Sequence, residues 1–187
     1  CQQAFGKEES CSANEEVCDW KKKVVAIKTP TMVASGVMLS DKLIVTNRHV
    51  IEDSRTVLVR LPNKKIVKGY SIPNNHVADI TFISLTEEVT DTKFDIKITK
   101  PKTAIMIAFD IGRNDIRIFE EKSIISYPEK NNPQARIHSF TRNLPGTSGG
   151  ALVDTKGNLV GIIAAGGGEY NEAVPASLLF SIYNKKE

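Results

Sequence analysis

The sequence predicts an all-β fold, a sandwich or a barrel, on three observations. Short runs rich in β-branched residues recur from Lys23 onward, most of them bounded by Gly, Pro, Asn or Asp. The gaps between runs are too short for the crossover helices that a parallel sheet needs. Only two stretches have helical character. At 187 residues the chain fits one domain or two small, tightly joined lobes, with enough length to bury a sizeable core.

Taken in order, residues 1 to about 22 are polar, carry Glu8, Glu9, Glu15, Glu16 and Asp19, and show little periodicity. They are expected to form a leader or tether. The expected strands follow at 24–27, 36–39, 42–46, 56–61, 80–85, 94–99, 104–108, 115–119, 135–140 and 159–163. Residues 154–158, rich in Asp, Gly and Asn, lie between two apolar runs and predict a hairpin turn. The helical stretches are a short turn over 49–53 and a C-terminal segment over 175–182 that starts on Pro175. If the body has two lobes, about 23–100 and 101–187, they join near residues 99 to 103.

The apolar share of 41% and charged share of 25% are those of an ordinary globular chain. The net charge of +3 is small and scattered, which argues against nucleic acid as a partner. No run reaches the roughly 18 apolar residues that a membrane span needs. The three cysteines, Cys1, Cys11 and Cys18, have no second ligand pair nearby, so no zinc site is expected. They are either unremarkable thiols in a tail or include a Cys11–Cys18 disulfide, which implies an oxidising compartment. The leading Cys1 is similar to the mature start of a bacterial lipoprotein, where thiol and amine carry lipid; a sequence boundary falling there is the alternative.

The strongest chemical signal is the run Pro145-Gly146-Thr147-Ser148-Gly149-Gly150. A serine hydroxyl needs a base to take its proton, and the tetrahedral intermediate needs backbone N–H donors for its oxyanion. Gly146 can adopt backbone angles that other residues avoid, so its N–H and that of Ser148 can point the same way. The run also fits the Gly-x-Ser-x-Gly elbow of α/β-hydrolases, but that fold places its histidine after the serine, and no histidine follows Ser148. The order histidine, acid, serine remains. Of the three histidines, His49 ends an apolar strand, a rigid mount that opens to a cleft, and is the candidate base. His76 sits in a loop, and His138 lies inside an expected strand. The acid must hold the other ring nitrogen. Asp79, at the start of a strand, competes with Asp91, Asp95, Asp110 and Asp115, and spacing alone leaves them open.

Several blocks together resemble the HtrA family of trypsin-like proteases: Ser35-Gly36-Val37-Met38-Leu39, Thr46-Asn47-Arg48-His49-Val50, Ala78-Asp79-Ile80, the run from Pro145 to Val153, Gly157-Asn158-Leu159-Val160-Gly161-Ile162 and Ala173-Val174-Pro175-Ala176. The resemblance implies two perpendicular six-stranded β-barrels with a short C-terminal helix and a site in the cleft between them. It implies His49 as base, Asp79 as orienting acid and Ser148 as nucleophile, with the oxyanion turn at Gly146, Thr147 and Ser148. A peptide would add as a strand beside 166–168, with Arg142, Leu144, Ala165, Gly166 and Gly167 as substrate-binding residues. An Arg142 that points into the pocket would favour an acidic residue before the scissile bond. The chain departs from the family in Arg142-Asn143-Leu144, where relatives are small and apolar, in Phe140, where relatives often have Asp, and in ending without the PDZ domain that many relatives carry.

The expected function is endopeptidase action on unfolded or exposed protein segments, in the bacterial periplasm or cell envelope or otherwise secreted. Relatives are often trimers. The competing expectation is a binding or chaperone-like module on a protease fold, at rest until a partner engages it. A metal-dependent hydrolase is disfavoured by three scattered histidines and the lack of a His-Glu-x-x-His motif, and no cofactor is expected.

Overall fold

The structure is a computed structural model that describes residues 11–87, 94–129, 132–167 and 169–184. Six strands build a first closed antiparallel barrel: β1 (Val24–Lys28), β2 (Val33–Met38), β3 (Leu43–Thr46), β4 (Thr56–Arg60), β5 (Ile66–Ile72) and β6 (Thr81–Ser84). They run in the order β1-β2-β3-β6-β5-β4, and β4 closes back on β1. The second barrel uses β7 (Thr103–Asp110), β8 (Asp115–Ile118), β9 (Lys122–Ser126), β10 (Ile137–Ser139), β11 (Ala151–Val153), β12 (Leu159–Gly167) and β13 (Tyr170–Pro175). Their order is β11-β12-β13-β10-β9-β7-β8, and β11 closes on β7. One edge of β7 is shared: β9 pairs its first residues and β8 its last. The pair β8–β9 thus acts as one bent strand, and the second barrel also has six staves.

Two-sided burial explains why so many runs are apolar without alternation. On β1, Val25 and Ile27 point into the first barrel while Val24 joins a cluster shared with the second. On β7, Ala104, Met106 and Ala108 fill the second barrel while Ile105 and Ile107 face the shared cluster. Phe82 of β6, Val153 of β11 and Ile162 of β12 meet in that same cluster. Three cores therefore stack in a row, and the middle one welds the barrels together. The C-terminal helix α3 (Leu179–Asn184), preceded by a 3-10 turn, covers the seam, with Tyr183 edge-on to Phe82 at 5.1 Å between ring centroids.

Two expectations are corrected. Residues 11–22 are not a loose tether. Asn14 caps α1 (Glu15–Cys18) by accepting from the Val17 N–H at 2.9 Å. A 3-10 turn over Asp19–Lys22 follows. Val17 and Trp20 are buried in the shared cluster, and the Trp20 indole N–H donates to the Gly157 carbonyl at 2.8 Å. Two apolar side chains placed three apart on a helical segment are enough to dock it, and a scan for long periodicity misses so short a pattern. The Cys11–Cys18 disulfide is present in this segment. Residues 94–99 are likewise not a strand. Phe94 stacks on Phe180 at 4.8 Å and is edge-on to Tyr183, so the alternation of this run reflects a linker lying across the seam. The hairpin at 154–158 has the expected form, with Asp154 accepting from the Lys156 and Asn158 N–H groups. Cys1 and Gly168 lie outside the described residues.

Candidate active site

The site sits on the seam. On the first-barrel side, β3 ends at Thr46 and the chain turns at once into α2 (Arg48–Ile51), which carries His49. Asp79 precedes β6, the strand paired with β3, so strand pairing alone brings acid and imidazole near each other. The contact is made twice: His49 Nδ1 lies 2.5 Å from Asp79 Oδ2, and the His49 backbone N–H donates to Oδ1 at 2.9 Å. The buried Asn47 fixes the Asp79 backbone by donating its Nδ2 to the Asp79 carbonyl at 3.0 Å. Burial raises the Asp79 pKa, but the hydrogen bonds from the His49 ring and backbone and the charges of His49 and Arg136 outweigh it and hold the carboxyl below its ordinary value. An ionised carboxylate can only accept, so Nδ1 is the nitrogen that donates to Asp79, which leaves Nε2 as the ring nitrogen free of that bond.

On the second-barrel side, Ser148 lies in a tight turn between β10 and β11. Gly146 has φ +97° and Gly149 has φ +90°, both in the region that side chains resist. A Cβ on Gly149 would lie 1.9 Å from the Ser35 carbonyl oxygen, so only glycine lets this turn press against β2. Each carbonyl in the turn is held: that of Pro145 by the Ile111 N–H, that of Gly146 by the Ser35 hydroxyl, that of Thr147 by the Gly150 N–H and that of Ser148 by the Ser35 N–H. In a trans peptide the N–H points opposite to the carbonyl. Holding the Pro145 and Thr147 carbonyls therefore aims the N–H groups of Gly146 and Ser148 the other way, and neither N–H has an acceptor among the described residues. The Ser148 hydroxyl donates to the Ala164 carbonyl at 2.9 Å, and no hydrogen bond joins it to His49 in this structure.

The other expected site residues divide. Ala165, Gly166 and Gly167 lie on β12 and pair on one edge with Glu172, Asn171 and Tyr170 of β13. Along the opposite edge Ile163 bonds Gly149 and Gly150 and the Ala164 carbonyl accepts from Ser148, and no described strand pairs with 165–167 beyond them. Thr147 is corrected: its N–H donates to the Leu144 carbonyl, so it cannot serve as an oxyanion donor. Leu144 packs against the core of the second barrel. Arg142 is exposed and borders a groove with Ala13, Asn14, Arg117 and Glu120, while its carbonyl accepts from Asn171, the β13 partner of Gly166. His138 pairs with Glu172 at 3.3 Å, and the His76 ring accepts from the Ala78 N–H. Among the described residues no cluster of His, Cys, Asp and Glu could hold a metal.

Sequence reasoning missed Asn47, Ser35 and Asn171. The first two stand inside the blocks quoted above and could have been found there. Asn171 is buried and donates to the Thr141 hydroxyl and the Arg142 carbonyl, tying β13 to the segment that leads into the serine turn. Nothing local in the sequence marks it.

Two joined barrels with a glycine-bounded serine at their seam are the architecture of trypsin-like serine peptidases. The chain belongs to the trypsin-like peptidase domain family, whose model matches residues 34–162. It is 30% identical over 132 residues to the serine protease Do-like HtrA of Lactobacillus helveticus, covering 64% of this chain and 31% of that protein. It is 26% identical over 140 residues to HhoB of Synechocystis, covering 70% of this chain and 34% of that protein. The chain thus spans about a third of the length of the curated relatives it matches. The serine endoprotease of Yersinia pestis shares the fold with a TM-score of 0.75 at 23% identity, over 95% of this chain and 67% of that one. The Rv3671c protease of Mycobacterium tuberculosis, in an inactive form, does so with a TM-score of 0.70 at 18% identity, over 92% and 93%. No helix among the described residues is long and apolar enough to cross a membrane.

Proposed function

We propose that the protein is a serine endopeptidase that cleaves peptide bonds in unfolded or exposed protein segments, with Ser148 as nucleophile, His49 as base and Asp79 as orienting acid. The observation that carries this reading is the serine turn, whose pinned carbonyls leave the N–H groups of Gly146 and Ser148 without acceptors, as an oxyanion hole requires. A peptide adds as a strand along the open edge of β12 at 165–167. Rotation of the Ser148 side chain carries its hydroxyl from the Ala164 carbonyl to His49 Nε2. The imidazole takes the proton as Oγ bonds to the substrate carbonyl carbon, while Asp79 stabilises the imidazolium. The proton then passes to the leaving amine, and water, activated by the same imidazole, clears the acyl-enzyme.

A location in the periplasm or cell envelope, or outside the cell, belongs to the same reading. The Cys11–Cys18 disulfide supports an oxidising compartment. Lipid on Cys1 and a trimeric state rest on resemblance alone. A second reading, a protease fold at rest until a partner engages it, is favoured by the bond from Ser148 to Ala164 in place of one to His49. Cleavage of casein, together with labelling by a serine-reactive phosphonate, separates the two. Both signals in the isolated wild type, absent from Ser148→Ala, support the peptidase. A wild type that neither cleaves nor labels supports the resting module.

A further inference from the structure

Ser35 belongs to the first barrel, yet its hydroxyl and backbone N–H are both spent on fixing the serine turn and its neighbour strand in the second. It lies in β2, is fully buried, and pairs with Ala26 on the adjacent strand β1. Its hydroxyl donates to the Gly146 carbonyl at 2.6 Å and accepts from the Phe109 N–H of β7 at 2.7 Å. Its backbone N–H donates to the Ser148 carbonyl at 2.7 Å. Its own carbonyl accepts from the Thr46 hydroxyl at 2.8 Å, three residues before His49, and lies where a Cβ on Gly149 would collide. A hydroxyl has one proton to give and lone pairs to accept with, and both capacities are used here.

The consequence for the turn is geometric. The Gly146 N–H lies in the Pro145–Gly146 peptide, and the Gly146–Thr147 peptide that follows is the support from which that plane is carried. Ile111 holds the first through the Pro145 carbonyl. The second, Gly146–Thr147, is held at its carbonyl by the Ser35 hydroxyl and at its N–H by the Leu144 carbonyl. Glycine at φ +97° has little intrinsic preference for that conformation over its alternatives, so external bonds must select it. The Ser35 hydroxyl is the one bond of this set that comes from the opposite barrel.

We propose that Ser35 is a positioning residue for the oxyanion hole: its hydroxyl locks the Gly146–Thr147 peptide, the plane from which the adjoining Pro145–Gly146 peptide and its N–H are carried, and so links the seating of the two barrels to competence of the site. This rests on the serine-peptidase reading. The hydroxyl touches no substrate atom and acts only through the turn.

The test compares wild type, Ser35→Ala and Ser35→Cys for kcat and KM on a peptide substrate, for the rate of phosphonate labelling of Ser148, and for thermal unfolding. Removing one oxyanion donor outright costs about 10²–10³ in kcat, so loosening one costs about 10–100-fold. Ser35→Ala is expected to lose that much in kcat and in labelling rate, with KM within about twofold. Ser35→Cys, whose thiol donates weakly, falls between, and it carries the comparison alone if Ser35→Ala does not fold. A folded variant with wild-type kcat and labelling, or a loss confined to KM, overturns the inference and leaves the peptidase reading intact. A wild type that neither cleaves nor labels overturns both.

Discussion

The two barrels each have six staves but hold their parts of the site by different means. The first is regular: its strands pair in unbroken antiparallel registers, and it delivers His49 and Asp79 through side-chain chemistry, with carboxylate oxygens, the imidazole and the Asn47 amide bonding one another. The second is irregular, with register shifts in β10, β11 and β12 and one stave bent into β8 and β9. It delivers Ser148 and the free N–H groups through backbone, with four carbonyls pinned in sequence and glycines where side chains would not fit. A proton-transfer pair needs a tuned side chain on a stiff mount. An oxyanion hole needs N–H groups aimed without side chains in the way. The difference teaches where each half is vulnerable: the first to a change of functional group, the second to an added Cβ.

The largest expected effect breaks the first barrel's half. Asp79→Asn keeps the shape but offers an amide where the ring needs a carboxylate, which favours the wrong imidazole tautomer. Its kcat should fall about 10⁴-fold, a magnitude known from the same change in a serine-protease triad, while the protein still folds, with a melting temperature lowered by the loss of the ionised carboxylate that the folded state favours. Peptide kinetics and a thermal scan on one preparation check both; a loss of under tenfold would remove Asp79 from its role. The corresponding break in the second barrel is Gly149→Ala. The new Cβ meets the Ser35 carbonyl oxygen at 1.9 Å and also the strain of φ +90°, so the turn and β2 must part. Stability should drop by about 4 kcal/mol in urea unfolding, with activity lost in the fraction that stays folded.

A smaller effect asks whether the N-terminal segment is part of the body. Trp20→Ala removes a buried ring and the bond to Gly157 and should cost about 3 kcal/mol, whereas Trp20→Phe should cost about 1 kcal/mol. Limited proteolysis that cuts before Lys23 in Trp20→Ala but not in wild type would place the segment's anchor at the indole. Equal protection in both would place it elsewhere.

The same contrast governs what could be read from the sequence. Strands such as β1, β3 and β7 were legible because burial on both faces writes continuous apolar runs, whereas β5, β9, β11 and β13 matched no expected strand. His49 and Ser148 stood out as candidates because the chain has only three histidines and because the glycine turn is local, whereas spacing left Asp79 among rival aspartates and only the resemblance selected it. The docking of Trp20 was not legible, since its partner Gly157 is 137 residues away. Nor was the role of Ser35, whose bond to Gly146 spans 111 residues. A serine in an apolar strand reads as a neutral substitution until the second barrel arrives opposite it. The run at 94–99 misled for the converse reason: the apolar residues alternate in sequence, but Phe94 packs on aromatic side chains of α3 rather than on a neighbouring strand, and Ile98 is exposed.

Acid titration sharpens the comparison with the smallest effect. Asp79 and Asp154 both have carboxyl groups held below the ordinary value of 3.8. In each, burial pushes the pKa up and hydrogen bonds more than reverse it: from the His49 ring and backbone N–H for Asp79, and from the Asn158 side chain and the hairpin N–H groups for Asp154. The unfolded chain therefore binds more protons than the folded one as the pH falls through this range. The stabilisation is fully present above the ordinary value and is lost as the pH drops through the lowered folded value. Urea unfolding from about pH 6 down to about pH 2 should show stability falling with acid, and either Asp79→Asn or Asp154→Asn should flatten that fall. Only Asp79→Asn should also abolish cleavage at neutral pH, because Asp154 braces a hairpin while Asp79 serves the imidazole. If Asp154→Asn proved as damaging to kcat as Asp79→Asn, the hairpin would have to be coupled to the serine turn through β11 and β12, and the division of labour between the barrels would fail.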